Sequence, residues 1–318
     1  MLDQNISILC WNVRGLNYIE RRATVHETIA ASSCHLVCLQ ETKLQVIDPF
    51  TAAYLGGQRL KNFAYKPADG TKGGILLLWD EAVIEISSVQ LGSYFLSAFV
   101  AIKSASDNKS FKLTTVYGPT RSIHKDAFFL ELSSQKPLPG TKWLVNGDFN
   151  QIYRAWDKNH TNVDRSSLVR FRNTLNSCEL KEIHLQNRRF TWSNERNNPT
   201  LCKLDSFFCN EDWDIEFANH ILHALSSSLS DHCPLLLANE GGPKRPKSFR
   251  FENHWTKMSG FQKTVKDAWD EESTHSEPYQ RLFHKLKTTS QRLRSWSKSL
   301  FAKVKIQLHM ALEVILHL

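Results

Sequence analysis

Short apolar runs that end in polar residues recur along the first 240 residues of the chain. The clearest is Trp143-Leu144-Val145-Asn146-Gly147-Asp148-Phe149-Asn150, in which three apolar residues predict a strand and a glycine ends it. Asp148 and Asn150 lie two positions apart, so both side chains can project toward the same side. The alternative is an Asx turn that closes the strand through local hydrogen bonds. Three other strand ends carry similar polar residues, which favours a functional site.

The same pattern predicts further strands and the fold class. Residues 6–13, 36–39 and 235–237 form largely apolar runs that predict strands, and residues 111–117 predict another strand, ended by Gly118-Pro119. Between residues 63 and 102, short strands alternate with turns at hairpin-like distances. Helices are predicted over residues 18–32, 124–133 and 166–177. Many strands with few helices between them indicate two packed sheets with helices outside, an α+β sandwich.

Cysteine usage and hydropathy indicate the compartment. The seven cysteines are odd in number and scattered, which predicts reduced thiols in the cytosol or nucleus. Cys34 and Cys38 lack a second pair at zinc-ligand spacing, so a structural zinc site is not expected. The sequence shows neither a signal-peptide pattern nor a run of eighteen apolar residues, so no membrane association is predicted.

The basic excess of the chain belongs to its last part. Residues 241–318 contain 15 Lys and Arg against 7 Asp and Glu, which accounts for the whole formal charge of +8. This excess is typical of a polyanion-binding segment and equally of a solvated helical face. Breakers and charges predict a linker over residues 241–250. The expected organisation is a domain over 1–240, that linker, and a basic helical extension over 251–318.

The extension carries an apolar stripe at helical spacing. Its members recur three, four or seven residues apart, as in a long amphipathic helix; they are Leu282, Leu286, Leu293, Trp296, Leu300 and Val304. Such a stripe needs an apolar neighbour. The sequence therefore predicts self-association, or binding of a partner helix, through residues 278–318.

Eight polar side chains at strand ends are the candidate site residues. They are Asn12, Glu41, Tyr117, Asp148, Asn150, Asp205, Asp231 and His232. Carboxylates bind hard cations such as Mg²⁺, which offset charge on phosphoryl oxygens. A histidine oriented by a carboxylate can donate to a phosphate oxygen, and Asn and Tyr are neutral donors. This set suits metal-assisted phosphodiester cleavage.

Each candidate also has an ordinary structural interpretation. Glu41 could be a solvated loop residue, Asn12 a turn former, Tyr117 a buried ring and Asp205 a strand-end cap. The adjacent pair Asp231-His232 is harder to explain in this way, because it lies between a serine-rich segment and an apolar strand. That pair is the most informative of the candidates.

Six blocks of the chain occur in the order found in the endonuclease/exonuclease/phosphatase superfamily. They are Trp11-Asn12-Val13-Arg14-Gly15-Leu16, Leu39-Gln40-Glu41-Thr42-Lys43, Val116-Tyr117-Gly118-Pro119, Asn146-Gly147-Asp148-Phe149-Asn150, Lys203-Leu204-Asp205 and Leu229-Ser230-Asp231-His232-Cys233-Pro234. Over residues 5–240 the chain most resembles the apurinic-endonuclease-like domain of plant non-LTR (LINE-type) retrotransposon polyproteins. The block Phe190-Thr191-Trp192-Ser193-Asn194 favours that branch.

The resemblance implies a four-layer α/β-β/α sandwich of the DNase I-like kind, followed by the helical extension. It implies a nuclear endonuclease that nicks DNA with Mg²⁺ or Mn²⁺ and leaves a free 3′-hydroxyl. By the same resemblance, Glu41 is the principal metal ligand and Asp231 assists the metal or the leaving group. Asp148 activates water, Asn12 and Asn150 orient the reacting groups, and Tyr117 contacts the phosphate. Asp205 supports His232, which polarises the scissile phosphate.

Two departures and two alternatives accompany this expectation. Arg14 stands where some superfamily members have an acidic residue, and Ser206 stands where retrotransposon relatives have a basic one. The extension is too short for a reverse transcriptase, which suggests a truncated or domesticated element. The alternative functions are a small-molecule phosphatase of the same superfamily and a catalytically inactive nucleic-acid-binding remnant. Target specificity is expected to depend on loops such as 69–72 and 195–200.

Overall fold

The computed structural model describes residues 6–70, 72–103, 109–227, 229–239, 251, 253–271, 278, 281–282 and 284–297. Two compact units comprise residues 1–242 and 243–316. The predicted linker and the stripe positions Leu300 and Val304 lie outside the described residues. The described part contains no helix that is long and apolar enough to cross a membrane. All seven cysteines are buried free thiols, as predicted.

The first unit contains strands and helices in mixed order. Its helices are α1 (Ile19–Ser32), α2 (Pro49–Gly56), α3 (Lys125–Ser134), α4 (Arg165–Ser177) and α5 (Glu211–Glu216). Its strands are β1 (Ile8–Asn12), β2 (Leu36–Gln40), β3 (Asn62–Asp69), β4 (Lys72–Trp79), β5 (Ile84–Leu91), β6 (Phe95–Ile102), β7 (Ser110–Tyr117), β8 (Trp143–Asp148), β9 (Lys181–Glu182), β10 (Trp192–Ser193), β11 (Leu201–Cys202), β12 (Asp205–Cys209), β13 (His220–Ala224) and β14 (Leu235–Asn239).

Most strands belong to two six-stranded sheets. The first has the order β13-β14-β1-β2-β4-β3 and the second has the order β5-β6-β7-β8-β12-β9. Each sheet is mixed, because β1 and β2 run parallel in the first, β7 and β8 run parallel in the second, and the other neighbours are antiparallel. Strands β10 and β11 form a separate hairpin.

Alternation along the strands builds four layers. In β1, Ile8 and Cys10 join the apolar cluster that also contains Leu113 and Leu144 of the second sheet. Leu9 and Trp11 instead belong to a cluster with residues of α1 and α2. A third cluster joins the opposite face of the second sheet to α3 and α4. Because successive side chains point to opposite faces, both sheets are covered on two sides. The predicted α+β sandwich of two helix-flanked sheets is confirmed.

Some elements differ from the sequence prediction. Helices α2 and α5 and strand β13 were not predicted, because these elements are too short for a sustained apolar period. Capping signals mark both helices: Asp48 accepts from the Thr51 amide at 2.6 Å, and Asn210 accepts from the Trp213 amide at 3.1 Å. Of the block at residues 190–194, only Trp192–Ser193 forms a strand, and the segment after Lys203-Leu204 forms the strand Asp205–Cys209.

The second unit has its own aromatic contacts. Helix α6 (Phe261–Asp270) follows a 3₁₀ turn (Asn253–Lys257), and residues 284–297 are helical. The Trp296 ring lies 6.0 Å from the rings of both Trp255 and Phe261. Within the described part of the predicted stripe, Leu293 is buried, whereas Leu282 and Leu286 are about half exposed.

Candidate active site

The sheet topology brings the predicted residues to one end of the strands. In the second sheet, β7 and β8 place Tyr117 beside Asp148, and β12 places Asp205 on the other side of Asp148. In the first sheet, Asn12 ends β1 opposite the last residue of β2, and Glu41 follows at once. Residues far apart in sequence therefore converge, because strand ends of both sheets lie at the same edge.

The Asp148 carboxylate is buried and held by three hydrogen bonds. The Asn150 amide N donates to Oδ1 at 2.8 Å, and the Asn150 side chain donates to Oδ2 at 3.0 Å. The Asn12 side chain also donates to Oδ2, at 2.9 Å. Burial raises the pKa of Asp148 to about 7, with the His232 charge acting in the opposite direction. A carboxylate of this kind can take a proton from water near neutral pH.

His232 lies between two carboxylates. Its Nδ1 lies 2.8 Å from Asp205 Oδ2, and its Nε2 lies 3.8 Å from Asp148 Oδ2, beyond hydrogen-bond reach. Burial alone would lower the pKa of His232, but the charges of Asp205 and Asp148 raise it to about 9. The two carboxylates thus favour the protonated imidazole, which can donate from Nε2 to an anion.

Asn12 joins Glu41 to this group. Its side-chain nitrogen donates to Glu41 Oε2 at 3.1 Å as well as to Asp148. The other Glu41 oxygen lies 2.9 Å from Lys43 Nζ. Burial, together with the negative charge of Glu41, raises the pKa of Tyr117 far above its ordinary value, so the phenol keeps its proton. Tyr117 is thus a neutral donor at this edge.

Asp231 directs one oxygen at two donors. Arg14 Nη1 lies 3.1 Å from Asp231 Oδ2, and the Trp192 indole N–H donates to the same oxygen at 3.0 Å. Its Oδ1 lies 3.5 Å from the Ser230 hydroxyl. Asp231 therefore belongs to the edge of the site, where both of its carboxylate oxygens have donors.

The site has the donor chemistry that a hard divalent cation requires. Ligand atoms of Asp148, Asp205 and His232 lie within 4.8 Å of one another. Among the described residues this group does not include Glu41 or Asp231. The buried Asp205 Oδ1 has no hydrogen-bond partner within the described part of the chain. Several carboxylates in one buried place call for a compensating cation, and oxygen donors match Mg²⁺ or Mn²⁺.

The sequence matches one protein family over most of its length. Residues 9–232 match the model described as "Endonuclease/Exonuclease/phosphatase family". The chain belongs to the endonuclease/exonuclease/phosphatase family. Membership makes it a hydrolase of phosphate esters, and the matched range includes every one of the eight predicted site residues. A search of curated proteins found no match.

Several solved structures are similar to this chain in fold. The chain is similar to the AP endonuclease LMAP from Leishmania major, with a TM-score of 0.58, 16% identity, and coverage of 74% of this chain and 88% of that one. For the Xenopus laevis APE2 catalytic domain the TM-score is 0.58 and the identity 17%, with coverage of 74% of this chain and 92% of that one. For the endonuclease domain of TRAS1, a telomere-specific non-LTR retrotransposon, the TM-score is 0.54 and the identity 12%, with coverage of 74% of this chain and 98% of that one. At these identities the likeness establishes the DNase I-like fold.

Backbone strain concentrates at the site. Eight non-glycine residues in the described part have positive φ, and four of them are Arg14 (51°), Glu41 (54°), Lys43 (57°) and Asn150 (48°). This conformation costs free energy in residues that carry a Cβ. Strained residues persist where surrounding contacts hold them and cluster at functional sites. The turn Asp148–Asn150 is held in this way by its own hydrogen bonds.

Three residues of the site were not predicted. The Thr191 hydroxyl donates to Asp205 Oδ2 at 2.7 Å, and Trp192 holds Asp231. Both belong to the aromatic block, which marked a branch of the family without indicating a role. Lys125 is buried and donates from Nζ to the Asn150 carbonyl at 2.6 Å, and burial lowers its pKa to about 8. No sequence signal marked Lys125, because a lysine at a helix start reads as a surface residue.

Proposed function

We propose that the protein is a Mg²⁺-dependent DNA endonuclease that nicks one strand by attack of water on a phosphodiester. One observation carries the proposal: Asp205, His232 and Asp148 form a buried series, with His232 Nδ1 fixed by Asp205 and Nε2 facing Asp148. This arrangement sets a proton acceptor beside a proton donor whose pKa values differ, as general acid–base chemistry requires. The Nε2 contacts are long, at 3.5 Å to the Asn12 side-chain nitrogen and 3.8 Å to Asp148 Oδ2, whereas the Nδ1 contact with Asp205 is short.

Asp148 is the proposed acceptor of the water proton. Water adds to phosphorus as its proton passes to Asp148. The bond from phosphorus to the 3′-oxygen breaks, and this oxygen takes a proton from a second water, which leaves a 3′-hydroxyl and a 5′-phosphate. Asn150 and Asn12 hold the carboxylate through the contacts described above, so it needs no reorientation during the step. Its raised pKa makes it a usable base near neutral pH.

His232 is the proposed donor to the phosphate. Its protonated Nε2 donates to a non-bridging oxygen and stabilises the negative charge that develops there. Asp205 fixes the ring, and Thr191 fixes Asp205. The Tyr117 hydroxyl adds a neutral donor on the adjacent strand.

Glu41 is the proposed principal ligand of the metal, with Asp231 Oδ1 assisting the metal or a leaving-group water. When bound, Mg²⁺ or Mn²⁺ supplies charge neutralisation at the phosphoryl oxygens. The contact of Lys43 with Glu41 gives this carboxylate a counter-charge in the free protein. The similarity to the TRAS1 endonuclease domain supports target nicking of the LINE type, and action on chromosomal DNA implies a nuclear location.

Supercoiled plasmid tests this proposal against both alternatives. We expect Mg²⁺ or Mn²⁺ to permit conversion of the supercoiled form to the nicked circle, and excess EDTA to stop it. Replacing His232 by Ala should slow nicking by about 100-fold or more, the usual effect of losing a donor to transition-state charge. Inorganic phosphate released from small phosphomonoesters without nicking would favour a phosphatase. A mobility shift without cleavage would favour a binding remnant.

The pH dependence of nicking should be bell-shaped. Asp148 must be deprotonated, so the rate should fall as the pH drops below about 7, the pKa that burial gives this carboxyl. His232 must be protonated, so the rate should fall again above about 9. Initial rates measured from about pH 5.5 to about pH 10 would show both limbs.

A variant identifies the alkaline limb of this profile. In His232→Gln, the remaining activity should lose its decline above about pH 9, because the side chain no longer titrates. The acidic limb should remain, since Asp148 is unchanged. If the nicking rate of His232→Gln still declined at the same alkaline pH as that of the wild type, His232 would not have the proposed role.

A further inference from the structure

We infer that Arg14 binds a phosphate of the DNA strand at the mouth of the site, an inference that rests on the proposed nuclease function. The Arg14 side chain is 51% exposed, whereas the Asp231 side chain that holds it is 11% exposed. The guanidinium therefore lies between the buried carboxylates and the solvent.

The backbone at Arg14 is fixed by several contacts. Its amide N donates to Asn12 Oδ1 at 3.0 Å, and its φ of 51° places it in the left-handed region. Arg21 of α1 donates to the carbonyls on both sides, at 2.8 Å to Val13 and 3.0 Å to Gly15. A long flexible side chain on a rigid turn can reach a ligand at a lower entropy cost than one on a mobile loop.

The Asp231 carboxylate orients the Arg14 guanidinium but uses only part of its hydrogen-bonding capacity. Nη1 contacts Asp231 Oδ2 at 3.1 Å, and that oxygen also accepts from the Trp192 indole at 3.0 Å. A guanidinium carries five N–H donors in a rigid fork that matches the oxygens of a phosphate. With half of the side chain open to solvent, donors remain for an incoming anion.

Two short connections place Arg14 next to the reacting groups. Asp231 directly precedes His232, whose Nε2 is the proposed phosphate donor. The Asn12 side chain accepts a hydrogen bond from the Arg14 amide and donates hydrogen bonds to Asp148 and Glu41. A strand whose scissile phosphate reaches His232 must therefore pass close to the guanidinium.

The negative charge of the site explains why DNA binding there needs a cation such as Arg14. Glu41, Asp148, Asp205 and Asp231 lie at one edge of the sheets, and their negative charge repels a polyanion. Exposed cations at the edge attract the strand from solution, and each phosphate neutralised adds to the salt dependence of binding. Arg14 is the half-exposed cation that is paired to a carboxylate beside His232.

Binding without cleavage tests this role. Equilibrium binding of a fluorescein-labelled DNA duplex is measured by anisotropy in EDTA, with salt varied from about 50 to 200 mM. Arg14→Gln keeps much of the side-chain volume and removes the charge, and we expect Kd to rise about 10- to 100-fold, as for a lost hydrogen bond to a charged group. The slope of log Kd against log salt should fall by about 0.9. Arg14→Lys should be intermediate, because it keeps the charge without the fork.

Arg170→Gln is the matched control, because Arg170 is also a surface arginine paired to a carboxylate, 2.9 Å from Asp126. Its Kd and slope should equal the wild-type values. In metal-supported nicking, Arg14→Gln should raise KM with little change in kcat. Unchanged Kd and slope in Arg14→Gln, or an equal loss in Arg170→Gln, would overturn the inference even if the wild type nicks DNA. Weaker binding by Arg14→Gln in a protein that never nicks would uphold Arg14 as a phosphate ligand and reject the nuclease.

Discussion

Replacing Asp148 by Asn should reduce the nicking rate of the protein by about 1,000-fold, at the upper part of the range for loss of a general base. The amide keeps the shape of the carboxylate but cannot accept the water proton. In the wild type, three hydrogen-bond donors from Asn12 and Asn150 point at the Asp148 carboxylate. The variant places an NH₂ group, itself a donor, among them. Burst-free initial rates on supercoiled plasmid under saturating Mg²⁺ would measure the loss.

Asp212→Asn is the control for this change. Asp212 is exposed in α5, which follows β12 at the end of that strand remote from Asp205. It should nick at the wild-type rate. Residual activity of Asp148→Asn within tenfold of wild type, in a protein with a wild-type melting temperature, would show that another group activates the water.

Replacing Gly147 by Ala should have the largest effect on stability at the site. Gly147 lies between Asn146 and Asp148 in β8 with a φ of 139°, and an added Cβ would lie 2.0 Å from the Val116 carbonyl oxygen of β7. Because that neighbour is backbone, β7 and β8 must separate. We expect a loss of about 3 kcal/mol or more in the free energy of unfolding. For a unit of this size, the melting temperature should fall by about 6 to 12 °C.

Gly140→Ala separates the clash from the backbone conformation. Gly140 also has positive φ, 81°, but no atom lies within 4 Å of its added Cβ. Its cost should be about 1 kcal/mol, from the left-handed conformation alone. Nicking by Gly147→Ala should fall as well, since Tyr117 and Asp148 depend on the pairing of β7 with β8. Equal melting temperatures for the two variants would mean that the strands accommodate the methyl group.

The sequence was most informative where a strand is buried on both faces. The runs before Asn12, Glu41 and Asp148 consist mostly of buried apolar residues, so the pattern located these strands and the polar residues at their ends. The two-sheet fold followed from the number of strands. Which strands pair was not predictable, since strand order depends on contacts between segments distant in the chain.

The site residues that were not predicted position other side chains or backbone groups of the site. Thr191 fixes Asp205 from a neighbouring segment, and Lys125 fixes the Asn150 carbonyl from the start of a helix. A threonine or lysine in those positions has no pattern that distinguishes it from an ordinary loop or surface residue. The roles of such residues depend on tertiary contacts, which the local sequence does not encode.

Arg14 and Asp231 illustrate a different limit. The sequence indicated that a cation replaces an acidic residue in the first block, and Asp231 was expected to assist the metal. Only the fold shows that the two side chains form an ion pair at 3.1 Å. The pair gives each residue a partner that no spacing along the chain could have suggested, because they are more than 200 positions apart.

The most direct test of one shared phosphodiesterase site is a double-mutant cycle on nicking. Asp148→Asn, His232→Ala and the double variant are compared with wild type on supercoiled plasmid with Mg²⁺. If both residues serve one transition state, the double variant should lose little more than the more impaired single variant, because residues acting as a unit are strongly non-additive. Losses that multiply in the double variant would show that Asp148 and His232 act independently, and would contradict the proposed site.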